Sequence, residues 1–219
     1  MSTDYIANDI KSPKRRGRPR EFDQEKALDR ALELFWRQGY EGTSIADLTA
    51  AMGITPPSLY AAFGSKEQLY NLVLQRYRAN VSRCLATALA EEPTAYAAVE
   101  RFLYEAARIF STRENPSGCL ISSGILSCAP ENKKVAETVA SMRAEALQAI
   151  RRTLQAGVKS GELPRDTDIT QLARFYAAVV QGMSVQARDG ANAKALRSIG
   201  ETALKAWPVR GQKVSAPSL

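Results

Sequence analysis

TSIADLTAAMGITPPSLYAAFGSK, residues 43–66, is the stretch whose reading decides the fold. Thr43 or Ser44 can cap a helix in which Ile45, Leu48 and Met52 form one apolar stripe, and Gly53 is best able to take the positive φ of a tight turn. Thr55 can cap the next helix, with Pro56 at its first position, where a missing N–H is no loss, and Pro57 still inside the tolerant first turn. Leu59 and Phe63 then face inward, which leaves Thr55, Ser58 and Tyr60 facing out. Gly64 interrupts the chain again, and Ser65 with Gln68 three positions on makes a capping box for a further helix. Two short helices across a glycine turn, with a longer helix behind them, are the arrangement of a helix-turn-helix that reads DNA.

Upstream, Asp23 can cap a helix that carries Ala27, Leu28, Ala31, Leu32, Leu34 and Phe35 at helical spacing until Gly39 stops it. Before it, residues 1–21 lack apolar periodicity, and Pro13, Gly17 and Pro19 disfavour helix, so a disordered basic arm is expected. Residues 11–20, KSPKRRGRPR, hold six of the thirty basic residues and no acid, whereas residues 21–76 hold five Lys/Arg against eight Asp/Glu. The arm therefore supplies much of the local attraction to an anionic partner. Its Arg16-Gly17-Arg18-Pro19 resembles the core of an AT-hook, which lays arginines along an A·T-rich minor groove; a non-specific basic tail is the other reading. Both predict a salt-sensitive share of the affinity.

Downstream, a long fourth helix starts at Ser65, carries Leu69, Leu72, Val73 and Tyr77, and is separated by Pro93 from a fifth. There Tyr96, Val99, Phe102, Leu103, Ala106, Ile109 and Phe110 recur at spacings of three and four. Residues 115–128 read as a short helix with loose ends, and Pro130 opens a long seventh helix that ends near Gly161. An eighth carries Leu172, Phe175, Tyr176, Val179, Val180 and Met183, and a ninth runs from about Ala193 to Trp207. No convincing strand or internal repeat is found. The expected fold is all-α with about nine helices: an arm over 1–21, a helix-turn-helix domain over 22–68, a helical body over 69–208 and a disordered tail over 209–219.

A chain of 219 residues with 45% hydrophobic content can bury a core without metal or disulfide staples. Cys84, Cys119 and Cys128 are odd in number and lie in apolar helical patterns, which fits a reducing cytoplasm better than a secreted disulfide framework. The first residues lack the apolar core of a secretory signal and no run approaches the ~18 apolar residues of a spanning helix, so no membrane partner is expected. Histidine is absent, which removes HExxH zinc sites, Ser-His-Asp and Cys-His triads, and the commonest general base near neutral pH. No catalytic residue, cofactor or metal is assigned. A net charge of +7 and a pI near 9.4 point to an anionic partner.

The block from Phe22 to about Tyr70, with Phe35, Gly39, Tyr40, Thr43, Ser44, Ile45, Leu48, Gly53, Leu59, Tyr60, Phe63 and Gly64-Ser65-Lys66-Glu67, resembles the TetR family of bacterial transcriptional regulators. The later helices match that family's ligand-binding and dimerisation domain only in number and length. The resemblance implies phosphate contacts at Thr43 and Ser44, and major-groove contacts from Thr55, Pro56, Pro57 and Ser58 in the first turn of the recognition helix. It further implies phosphate contacts at Tyr60 and Lys66. Such contacts suit hydroxyls and N–H groups at a positive helix end, and proline rings or a threonine methyl against thymine methyls. One departure is that Ala61 and Ala62 follow the tyrosine where many members carry a polar aromatic, which removes a possible contact and raises the importance of Arg16 and Arg18.

The same resemblance implies a homodimer built on the last two long helices, here through Phe175, Val179, Gly182, Met183, Leu196, Ile199, Ala203 and Trp207; intramolecular core is the competing account of each. It implies an inducer pocket among helices four to seven, with Phe102, Phe110, Cys119, Ile121 and Met142 as lining candidates. Gly118-Cys119-Leu120 resembles a subset of the family that includes electrophile- and oxidant-responsive repressors, and structural burial is the other reading of Cys119. The expected function is a ligand-responsive repressor of a double-stranded operator, released by a small-molecule or electrophile inducer. An architectural protein gripping A·T-rich DNA through the arm and a helical enzyme are the alternatives.

Overall fold

The computed structural model describes residues 22–208, which form helices and connecting turns and contain no strand. The basic arm with Arg16 and Arg18, and the C-terminal tail, lie outside the described residues. The first three helices are α1 (Gln24–Gln38), α2 (Ile45–Met52) and α3 (Pro56–Phe63). Helix α4 begins as Lys66–Tyr77, passes through a π-helical segment Arg78–Ser82 and continues as Arg83–Glu91. Then follow α5 (Ala95–Ser111), the single turn α6 (Leu120–Ser123), α7 (Lys133–Ser160), α8 (Ile169–Arg188) and α9 (Ala193–Leu204). A 3-10 turn, Pro130–Asn132, leads into α7.

Local chemistry sets the boundaries of the head. The Asp23 carboxylate accepts from the Glu25 and Lys26 amides at 3.1 and 3.2 Å and so caps α1. Ser44, not Thr43, caps α2, in a reciprocal box with Asp47. Gly53 closes that helix at φ 68°, ψ 32°, in the left-handed region. Thr55 caps α3, and the expected Ser65–Gln68 box caps α4. The four caps satisfy amides that each short helix would otherwise leave bare.

Head and body share one aromatic seam. Along α1 and α4, Phe35 meets Tyr70 edge-on at 4.8 Å between centroids, Tyr40 lies 4.9 Å from Tyr70, and Trp36 meets Tyr77 edge-on at 4.8 Å. All five rings are buried, so α4 carries the head as a rigid extension of its own first half. On the outer side Arg76 of α4 ion-pairs with Asp29 and Glu25 of α1. Beyond the π segment α4 packs on α5 and α7, and α5 packs on α8 and α9. Among the described residues no helix is long and apolar enough to cross a membrane.

Two expectations change. The fourth helix is interrupted by the π segment, which no pattern of apolar residues in RANVS announces. Four residues expected on the dimer face are instead inside the protomer: Met183 and Leu196 are fully buried, and Ala203 and Trp207 nearly so. Trp207 packs edge-on against Tyr96 at 5.4 Å, and Leu196 and Ala203 turn the α9 stripe toward the protomer's own core.

Tyr176 gives a direct check on this core. Its ring is fully buried, its hydroxyl has no partner among the described residues, and burial pushes that hydroxyl above its ordinary value, as it does for Tyr70 and Tyr77. The unfolded chain ionises tyrosines near pH 10, whereas the folded chain keeps these protons to higher pH. The folded form therefore holds more protons in that window, and stability falls as pH rises through it. Tyr176→Phe is predicted to change urea stability at pH 7 by less than about 1 kcal/mol, since it removes an unpartnered hydroxyl, and to lessen the loss of stability between about pH 9 and 11. A variant that loses stability as steeply as the parent over that range would contradict it.

Candidate DNA interface and its coupled cavity

The recognition helix presents a short polar edge. Thr55, Pro56, Pro57 and Tyr60 are exposed and Ser58 is half-buried. The Thr55 and Ser58 hydroxyls lie 2.9 Å apart, so each has a local partner and a free direction toward solvent. Tyr60 is 49% exposed, the largest aromatic surface of the head. Lys66, in the first turn of α4, lays its Nζ over the Tyr40 ring at 4.3 Å. Partial desolvation there lowers its pKa from the ordinary lysine value, while Glu41 opposes that shift.

Thr43 does not face DNA. It is fully buried, and its hydroxyl donates to the Gly39 carbonyl at 2.7 Å, closing the turn between α1 and α2. Ser44 is exposed, but the Asp47 carboxylate already occupies its N–H at 2.9 Å and its hydroxyl at 2.6 Å. Those bonds hold the Asp47 carboxyl below its ordinary pKa and put a negative charge at the helix end offered to a phosphate. Of the other candidates among the described residues, Thr55, Pro56, Pro57 and Tyr60 are exposed, and Ser58 and Lys66 are half-buried.

Behind the head, a cavity of about 480 Å³ lies among α4, α5, α7 and α8. Its wall contains Phe102, Phe110, Cys119, Ile121 and Met142, all five of the sequence candidates, together with Val180. Phe102, Phe110, Cys119 and Val180 are buried, whereas Ala79 and Ala86 of α4 and Ala146 of α7 are exposed at its rim. Pattern reading missed the charged members of that rim, Arg78, Arg83, Arg143, Glu145 and Arg152, since each reads as an ordinary solvated helix position.

The wall around Cys119 is also the floor on which the head stands. Residues 118–124 run between the cavity and the end of α1. The Trp36 Nε1 donates to the Gly118 carbonyl at 3.2 Å, and the Tyr40 amide donates to the Gly124 carbonyl at 2.9 Å. On the body side the Cys119 amide donates to the Ser184 hydroxyl at 2.8 Å, and Arg143 donates to the Ile121 carbonyl at 3.0 Å. Arg188, at the end of α8, donates to the Trp36 and Arg37 carbonyls at 3.1 and 2.7 Å and to the Ser123 hydroxyl at 3.2 Å. Gly118 has φ 81°, and a Cβ there would lie 2.7 Å from the Ser184 carbonyl oxygen, so only glycine fits this approach. Further along, Glu41 accepts from the Ala129 amide at 3.0 Å and the Asn132 side chain at 2.9 Å. The short helix expected within residues 115–128 is a single turn starting at Leu120, with Cys119 at its N-cap position.

A capped helix-turn-helix head bonded to a helical body with an internal cavity is the architecture of a one-component DNA-binding regulator. Residues 27–73 match the family of bacterial regulatory proteins, tetR family, and residues 95–202 match the tetracyclin repressor-like C-terminal domain. The chain belongs to the TetR family of transcriptional regulators. It is 37% identical over 196 residues to the HTH-type transcriptional repressor ComR of Escherichia coli (strain K12), covering 89% of this chain and 93% of that one. It is 33% identical over 174 residues to the repressor BdcR of the same strain, covering 80% and 83%. Its fold is similar to a cysteine mutant of the TetR family regulator CifR complexed with 26-bp double-strand operator DNA, with TM-score 0.83 and 43% identity over 88% of this chain and 100% of that one.

The Arg188 contacts make the joint testable without DNA. Arg188→Ala removes the partners of two carbonyls at the end of α1 and is predicted to speed hydrogen exchange of the Tyr40 amide by about tenfold or more, corresponding to about 1.4 kcal/mol of lost local protection. Amides in the middle of α5 serve as the control. Unchanged protection at Tyr40 would show that Arg188 does not hold the head.

Proposed function

We propose that the chain is a repressor that binds a palindromic operator as a homodimer and is released when a small molecule fills the cavity. The observation that carries this reading is the double role of residues 118–124, which line the cavity on one side and hold Trp36 and Tyr40 of the head on the other. A ligand that moves this segment changes where the head sits. Since two heads must meet major grooves about 34–36 Å apart, a small rotation suffices to break register.

The division of labour follows: residues 22–68 read DNA, residues 69–208 sense and dimerise, and the whole acts in a bacterial cytoplasm at the nucleoid. Tyr60 and Lys66 contact phosphates, Thr55, Pro56, Pro57 and Ser58 meet base edges, and Arg16 and Arg18 grip an adjacent groove. Ser44 contributes its exposed edge only. The partner subunit docks on α8 and α9, where Phe175 and Val185 are 38% and 46% exposed, Gly182 is open, and Val179 and Ile199 are half-buried. Open glycine and alanine positions on α8 let two helices approach closely. The reading assigns no catalytic step.

Cys119 in the cavity wall supports a second form of inducer, an electrophile that adds the thiol's sulfur and proton across its double bond. Release would then survive dialysis in the parent and be lost in Cys119→Ser.

The test of the reading is selection of bound DNA from a random pool, followed by footprinting at physiological salt. A short palindrome protected on one face is the expected result. Diffuse A·T-rich protection would favour the architectural alternative, and no protection would end the DNA reading. On the selected operator, Lys66→Ala is predicted to reduce the log–log salt slope by about 1 per subunit, and deletion of residues 1–20 to reduce it further.

A further inference from the structure

The cavity has an apolar interior and a rim that is rich in guanidinium groups. Arg78 and Arg83 come from α4, and Arg143 and Arg152 from α7, while Glu145 is the single acid lining the space. Two of the four arginines are engaged elsewhere. Arg78 pairs with Glu145 at 2.9 Å, and Arg143 donates to the Ile121 carbonyl. Among the described residues Arg83 and Arg152 make no ion pair, and both are exposed at the rim.

Their placement follows from two anchor points on the seam between α4 and α7. Arg78 meets Glu145, and eleven residues later in α4 the Leu89 carbonyl accepts from the Thr153 hydroxyl at 3.1 Å. The two helices therefore ascend together, and Arg83 and Arg152 both fall between or beside these anchors, on the stretch where α4 and α7 face each other with small residues. Those small residues, Ala79, Ser82 and Ala86 against Ala146 and Ala149, leave the seam open into the cavity. The rim also contains the π-helical segment of α4, a departure from regular helix that recurs at functional sites.

We infer that the cavity takes an anionic amphiphile, a molecule with an apolar body seated between Phe102, Phe110 and Met142 and a carboxylate or phosphate head held by Arg83 and Arg152. The chemistry is complementary at both ends. A volume of about 480 Å³ lies within the range of roughly 300–1,000 Å³ that encloses small organic ligands, and its buried end offers no charge to pair with a polar group. Guanidinium forks bind carboxylate and phosphate oxygens in pairs, and a neutral or cationic head gains nothing from them. With Glu145 already neutralised by Arg78, a bound anion meets net positive charge and no competing carboxylate from the lining. The inference rests on the cavity being the regulatory site proposed above, and it adds the class of molecule.

The test compares three probes of one chain length on the full-length protein by titration calorimetry: decanoate, decyl phosphate and decanol. Saturable binding of one or both anions at one per protomer, about tenfold or more tighter than decanol, is expected. Arg83→Gln and Arg152→Gln are each expected to weaken the anion by about tenfold, and the corresponding lysine substitutions to restore part of the loss, in variants whose ligand-free melting midpoints match the parent's. The tighter anion identifies the head group. Decanol binding as tightly as both anions, neither anion binding, or a folded double glutamine variant with parental anion affinity would each overturn the inference. Failure of the regulatory reading is separate: arginine-dependent anion binding that leaves operator affinity unchanged keeps the ligand class and removes the role of the cavity in release.

Discussion

The last turn of α1 ends in carbonyls that the helix itself cannot satisfy, and the body supplies their partners. Arg188 reaches from the end of α8 to the carbonyls of Trp36 and Arg37, adding positive charge where the helix dipole is negative. Immediately beside it, Trp36 and Tyr40 donate to the carbonyls of Gly118 and Gly124. The end of α1 is thus tied to the body by backbone groups of one loop and one arginine, beside the aromatic seam that joins it to α4. Directional bonds of this kind have few alternative geometries, so a shift of the loop is passed on and is not absorbed as it would be by a sliding apolar contact.

Because the same loop carries Cys119 and Ile121 into the cavity wall, the cavity and the head are separated by a single layer of chain. The aromatic seam of Phe35, Trp36, Tyr40, Tyr70 and Tyr77 then makes α1 and the first half of α4 one unit. The π segment at residues 78–82 lies just past that unit, at the cavity rim, where α4 turns from carrying the head to covering the pocket. Electrostatically the head is modest: Asp47 neutralises the start of α2, and Lys66 shares its charge with the Tyr40 ring and Glu41.

The sequence was legible where structure is decided within a few residues. Asp23, Thr55, Ser65 and Gln68 cap the helices expected of them, because each cap is a bond between a side chain and a backbone group three positions away or less, and Gly53 takes the left-handed turn because it has no Cβ to clash there. Long apolar stripes gave the body helices for the same reason of period. What escaped depends on distant partners. Thr43 looks like a cap until Gly39 folds over it, and Arg188 looks like an ordinary basic residue at a helix end until Trp36 arrives. Met183 and Leu196 are apolar in either setting, so sequence could not divide the protomer's core from its partner face. Arg83 and Arg152 come to one cavity rim only when α4 and α7 are laid side by side.

The central claim is that the volume of the cavity and the position of the head are linked through residues 118–124. The most direct test fills the cavity without a ligand, by Ala177→Phe, which sends a ring into the space from α8. In a variant with parental helical content, affinity for the selected operator is predicted to fall by about tenfold or more, corresponding to about 1.4 kcal/mol of coupling. Parental operator affinity in that folded variant would contradict the link.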